Sequence, residues 1–166
     1  MNKWVFRIIW AAVLIGIGFW IWRVFFPSPE QVIRKRLNEM AQIASFSSNE
    51  GPLAKAANAS KFTTFFNNDV EIAVDVPGRA QQVFRGRDEL LQAAMGARSF
   101  LGSLKVEFLD INITLAADKM SAVVNLTAKG RAGTERDLIV QELKLILKKV
   151  GGDWLIQRLE TVKTLS

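Results

Sequence analysis

The stretch Met120-Ser-Ala-Val-Val-Asn-Leu-Thr-Ala-Lys129 decides the fold class. Met120, Ala122, Val124, Leu126 and Ala128 fall on one side of an extended chain. Ser121, Asn125, Thr127 and Lys129 fall on the other, with only Val123 out of pattern. A period of two with one apolar face marks a half-buried strand of an antiparallel sheet. The same texture begins at Leu104 and continues past Lys129. It predicts strands over Lys105–Leu115, Met120–Lys129, Glu135–Val150 and Trp154–Thr164. Asp118-Lys119 and Gly151-Gly152-Asp153 read as hairpin turns, and Gly130-Arg-Ala-Gly-Thr134 as a looser connection. Strands of this length must twist and curve around something.

Helices precede the strands. Ser28 as N-cap, Pro29 at the first helical position and Gln31 three residues past the cap form a capping box. Ile33, Leu37, Met40 and Ala44 then supply one apolar face, and Arg34-Lys35-Arg36 a solvated one. A second helix is expected from Pro52 to Phe66, with Phe62, Phe65 and Phe66 at i, i+3 and i+4. Val70–Val76 alternates as a short strand and ends at Pro77-Gly78. A third helix is expected after Gly86, where Asp88 and Glu89 sit in the dipole-favoured first turn. Leu90, Leu91, Ala94, Met95 and Leu101 form its apolar side. The order gives an α+β domain: a curved antiparallel sheet wrapped around three helices.

Upstream of this domain, residues 8–22 carry no charge, and the wider run from Trp4 to Phe26 is interrupted only by Arg7 and Arg23. At 1.5 Å per residue the wide run spans roughly 34 Å, against a hydrocarbon core of ~30 Å. The two arginines can carry their guanidinium groups outward to the headgroups. Trp4, Trp10, Trp20 and Trp22 cluster toward the two ends, as interfacial aromatics do. No small-residue cleavage site follows, so the segment reads as one uncleaved transmembrane helix and not as a signal peptide. The organisation is therefore an N-terminal anchor over 1–27, meeting membrane lipid through residues 4–26, and a folded domain over 28–166. A short basic N-tail favours an extracytoplasmic domain on a single-pass, bacterial inner-membrane protein.

Composition excludes several chemistries. The 166 residues include no Cys, His or Tyr. Thiol catalysis, disulfides and every Ser-His or Cys-His scheme are absent with them. Net charge is +6, but without Lys3, Arg7 and Arg23 only 19 basic residues face 16 acidic ones. That balance describes solubility and is no nucleic-acid footprint. The carboxylates form no metal-ligand motif, and no cofactor is expected.

Three local features carry a resemblance. Phe65-Phe66-Asn67-Asn68-Asp69-Val70-Glu71-Ile72 resembles a helix end running into a first strand. Phe84-Arg85-Gly86-Arg87-Asp88-Glu89-Leu90 resembles a Gly-Arg-x-Glu approach to a third helix. Gly151-Gly152-Asp153-Trp154-Leu155-Ile156 resembles a turn and tryptophan opening a last strand. In order and spacing these are similar to the nuclear transport factor 2-like superfamily, also called SnoaL-like or ketosteroid-isomerase-like, over about residues 30–166. The resemblance implies a cystatin-like cone with a pocket between sheet and helices. The superfamily includes isomerases, dehydratases, transport adaptors and secretion scaffolds, so fold alone names no function.

The resemblance also implies where chemistry would sit. In the isomerase branch the general base is an Asp just before a Pro-Gly turn; in Asp75-Val76-Pro77-Gly78, Asp75 takes that position. Desolvation raises a carboxyl pKa and fits it for proton transfer. The branch's tyrosine donor is missing here, so its mechanism does not carry over. Phe62, Phe66, Phe84, Phe108 and Trp154 are expected to line a pocket with Asp75, or simply to form the core. Glu107 and Asp110 fall on opposite faces and cannot pair. Glu142 shares a face with Leu138 and Val140 and is expected to look into the sheet. Three functions stay open: a membrane-anchored, non-catalytic module that binds a protein partner or a second copy, an isomerase- or dehydratase-type enzyme using Asp75, and an apolar-ligand or lipid carrier at the membrane surface.

Overall fold

The computed structural model describes residues 10, 12–18, 20, 27–75, 81–133 and 138–162. The chain divides into two compact units, Met1–Val32 and Ile33–Ser166. In the first, residues 12–18 are helical, and Val13, Leu14, Ile15 and Ile17 are exposed. Among the described residues no helix is long and apolar enough to cross a membrane. Most of the span expected over 4–26 lies outside the described residues.

Helix α1 (Pro29–Ala44) opens on the capping box its sequence encodes. The Gln31 N–H donates to Ser28 Oγ at 3.3 Å, and the Ser28 N–H donates to Gln31 Oε1 at 3.2 Å. Downstream, Ile33, Leu37 and Met40 are buried as expected, but the fourth buried residue is Ala41, and the expected Ala44 is half-buried. Helix α2 (Pro52–Thr63) stops three residues short of the expected Phe66. Thr63 and Thr64 explain the stop: their hydroxyls donate to the carbonyls of Ser60 and Lys61, each at 2.7 Å, in place of further helical bonding. Phe66 then opens strand β1 (Phe66–Val74) and is almost wholly buried.

The short strand β2 (Gln82–Arg85) leads into α3 (Gly86–Phe100). Its four residues are too few to show a period, and no strand is expected there from the sequence. The junction explains the Gly-Arg-x-Glu texture. Gly86 has φ +77°, and a Cβ there would lie 3.3 Å from the Asn68 carbonyl oxygen. Arg87 Nε donates to the Phe66 carbonyl at 2.7 Å, and Glu89 Oε2 reaches back to accept from the Arg85 N–H at 2.7 Å, tying the first turn of α3 to the end of β2.

Four long strands follow: β3 (Leu104–Leu115), β4 (Ser121–Ala132), β5 (Leu138–Val150) and β6 (Asp153–Thr161). They pair antiparallel in sequence order, as their alternation predicts. Lys119 has φ 55°, and Gly151 and Gly152 have φ 59° and 96°, so both expected turns form where positive φ is supplied. The full sheet runs β2-β1-β6-β5-β4-β3. It is mixed rather than purely antiparallel, because β1 lies parallel to β6. Alternation reports that one face is buried, which holds for either direction, so it could not reveal this pairing.

The core is built in rows across the inner face. Phe66, Ile156, Leu147 and Ala122 align in one row, and Ile72, Leu159, Leu145 and Val124 in the next. All eight are buried. Each large side chain contributes about 1.5–3 kcal/mol by leaving water. Bulges between Leu109 and Asn112 and between Ile146 and Leu147 break the registers and bend the long strands.

Candidate functional site

The residues expected around Asp75 are distributed along the sheet. Asp75 follows the end of β1 and is half-buried. Its backbone is held from two sides: its N–H donates to Thr161 Oγ1 at 3.0 Å, and its carbonyl accepts from Gln141 Nε2. Gln141 shares its inward alternation with Leu143, Leu145 and Leu147. Residues 76–80 of the Pro-Gly turn lie outside the described residues. Trp154 sits at the opposite end of β6 from Thr161, roughly 23 Å away at strand rise, and is buried. Phe66 is core, with the Phe62 ring against it at 5.1 Å between centroids. Phe84 stands beside Ile72, and Phe108 beside Ala128, both half-buried. The structure therefore joins Phe62 to Phe66, and Asp75 to Thr161 and Gln141. Among the described residues no group of three or more carboxylates is placed to hold a metal ion.

Glu142 corrects the sequence expectation. It is exposed, because the inward set of β5 is Gln141, Leu143, Leu145 and Leu147. Leu138 and Val140, which suggested an inward face, point with it to the outer side and are themselves exposed.

That outer face carries charge in rows. Arg158 lies 3.7 Å from Glu71 and 3.3 Å from Glu160, and Lys144 lies 3.5 Å from Glu160. Lys105 pairs with Glu107 at 2.8 Å. The hydrogen bond and charge of Lys105, joined by the fields of Lys129 and Arg131, hold the Glu107 carboxyl below its usual range. Described residues line three hollows. Lys105, Glu107, Lys129 and Arg131 enclose about 160 Å³. Asp69, Glu71, Ile146, Gln157 and Arg158 line about 280 Å³. The largest, about 350 Å³, lies beside the Asp110 bulge and is lined by Asn112, Asn125, Thr127 and Glu142 among others.

A second charged cluster sits beneath the helices. Arg98 of α3 is 3% exposed. Its guanidinium makes two bonds to Glu50, at 2.8 and 2.7 Å, and a third to the Ile43 carbonyl. It also lies over the Phe46 ring, 4.9 Å from the centroid. Asn58 donates to the same Glu50 carboxylate. Burial pushes the Glu50 carboxyl up, but the bonds from Asn58 and Arg98 and the charges of Arg98 and Lys55 outweigh it, and the net shift is downward. The cluster ties the end of α1 to α2 and α3. Its signal in the sequence was spacing: Leu90, Ala94 and Arg98 fall four residues apart on one stripe.

The chain matches no family model and no curated protein. Solved structures do match it. A protein from Novosphingobium aromaticivorans DSM 12444 provisionally named a scytalone dehydratase superposes with TM-score 0.63 at 17% identity, covering 82% of this chain and 84% of that one. An NTF2-like protein of unknown function from Pseudomonas putida KT2440 gives TM-score 0.60 at 12% identity, covering 81% and 85%. A domain of unknown function with a cystatin-like fold from Nostoc punctiforme PCC 73102 gives 0.63 at 12%, covering 85% and 80%. At these identities the likeness is one of fold, and the fold is NTF2-like and cystatin-like.

Proposed function

We propose that this NTF2-like domain works by binding a protein partner on the outer face of its sheet, held at a membrane by the apolar segment over residues 4–26. The observation that carries the reading is at the start of β5. Leu138 and Val140 remain 46% and 57% exposed, while the same strand buries Leu143, Leu145 and Leu147. Clustered apolar side chains on an otherwise charged surface are what an interaction site needs. The inner face, by contrast, is largely spent on the core. The absence of His and Tyr supports binding over proton-transfer chemistry.

The anchor rests on the length and apolarity of residues 4–26, with Arg7 and Arg23 near its ends. In this reading the domain stands outside the cytoplasm, on a bacterial inner membrane. Carbonate extraction tests the first point, and a topology reporter fused after Ser166 the second. Release of the chain by carbonate removes the anchor from the proposal. For binding, a photocrosslinking side chain is placed at Leu138 and, separately, at exposed Lys35 of α1. A reproducible adduct from Leu138 and none from Lys35 is the expected result. No adduct from any outer-face position overturns the reading.

A catalytic reading has one observation in its favour: Asp75 is half-buried where Thr161 and Gln141 converge. Turnover of a carbonyl substrate that disappears in Asp75→Asn would establish it.

A further inference from the structure

At the β3–β4–β5 end of the outer face, cations outnumber the carboxylate among them. Lys105 stands opposite Arg131, and Glu107 opposite Lys129, across β3 and β4. On β5, Leu138 stands beside Arg131, and Val140 beside Lys129. The four charged residues line the hollow of about 160 Å³. Glu107 is engaged by Lys105. Among the described residues, no carboxylate lies within ion-pair distance of Lys129 or Arg131. Arg131 Nε is buried and has no hydrogen-bond partner. A buried guanidinium N–H without an acceptor is costly in the free protein, and a ligand oxygen removes that cost.

We propose that this hollow receives the carboxylate of an acidic side chain on an extended segment of the partner protein. With its side chain turned so that Nε meets the hollow, Arg131 binds it through Nε and a terminal nitrogen, the planar fork that matches a carboxylate. Lys129 supplies the second cation, and apolar side chains of the segment pack on Leu138 and Val140. The inference rests on the binding reading above and names the chemistry of its partner. A single placed carboxylate fits better than an anionic lipid surface. A bilayer responds to summed charge near it, and Glu107 lies inside the hollow while Glu71, Glu142 and Glu160 interleave with the cations on the same face. Apolar residues directly beside the cations also match an extended peptide, whose i and i+2 side chains share one face and can differ in character.

The probe is a dansyl-labelled peptide repeating Glu-Ser-Leu-Ser, which puts glutamate and leucine on one face of an extended chain, with a Gln-Ser-Leu-Ser counterpart. Both are titrated into the full chain in zwitterionic micelles. Anisotropy reads affinity, and the Arg131 Nε–H resonance reads position. The glutamate peptide is expected to saturate and to shift the Arg131 signal. The glutamine peptide, and the variant K129Q/R131Q, are each expected to bind at least about tenfold more weakly. K148Q, on the same face outside the hollow, leaves affinity unchanged. Should the double variant not fold, R131K keeps the charge but removes the fork, and a severalfold loss is expected. Equal binding of the two peptides, unaltered affinity in R131K, or displacement of the peptide by phosphatidylglycerol vesicles overturns the proposal. Photocrosslinkers at Val140 and at Ile146 separate its failure from that of the broader reading. Adducts from Ile146 alone leave a binding face without this site, whereas blanks at both remove the binding face as well.

Discussion

Arg98 with Glu50 and Arg158 with Glu71 and Glu160 are built from the same side chains in two different solvents. The first pair is 3% and 10% exposed, with two short bonds, a backbone carbonyl, an amide donor and an aromatic face around it. The second lies on the outer sheet face, with Arg158 49% exposed and contacts of 3.3 and 3.7 Å. Water and salt already satisfy the outer charges, so their pairing adds little. Nothing but protein satisfies the inner ones, so each depends on the other. The same residue types therefore hold three helices together in one place and pattern a surface in the other.

Arg98→Ala should break the contrast most strongly. It leaves the Glu50 charge beneath the helices, strips the Ile43 carbonyl of its donor and opens a void over Phe46. A loss of about 3–5 kcal/mol is expected for such a buried pair, read as a lowered urea midpoint at unchanged slope. Arg98→Met with Glu50→Leu removes both charges together and should recover part of that loss. It cannot recover all, because Asn58 and the Ile43 carbonyl lose their partners too. Equal destabilisation in the single and double variants would show that packing, not charge, is what Arg98 provides.

Acid sharpens the same contrast. The folded state holds the Glu50 carboxyl below its ordinary value of 4.5. As pH falls the unfolded chain takes up this proton first, so it binds more protons than the folded one. The stabilisation is complete above the ordinary value and is lost as pH falls through the folded one. Urea midpoints taken between about pH 6 and about pH 3 should therefore decline, and the decline should be shallower in Glu50→Gln. An identical slope in both proteins would remove Glu50 from the acid response.

How much of this was legible follows from what each signal reports. The Ser28 and Gln31 cap and the Gly151-Gly152 turn formed as read, because their chemistry is complete within a few residues. The four long strands were legible because alternation extends over many residues in each. The parallel pairing of β1 with β6 was not, since it joins residues nearly ninety positions apart and leaves no local mark. Leu138 and Val140 mislead for a physical reason: an apolar alternation reads as an inward face, and here it points to solvent. Arg98 is not legible because a charge on an apolar stripe reads as an exception until its partners are seen. At the site, Asp75 was placed by resemblance, whereas its bonds to Thr161 and Gln141 come from strands far along the chain.

The smallest effect is expected at Arg158. Arg158→Gln removes contacts to Glu71 and Glu160 from a surface where water replaces them. Stability should fall by less than about 1 kcal/mol, and raising salt should shrink even that difference between variant and parent. Lys144 remains 3.5 Å from Glu160, so the outer row keeps one of its links. A loss comparable with that of Arg98→Ala would mean that the outer network is shielded from solvent in solution. The most direct source of such shielding is a bound surface, so the urea midpoint of Arg158→Gln would then depend on protein concentration. A small loss, independent of concentration, keeps this face open to solvent in the isolated chain, as the partner-binding proposal requires.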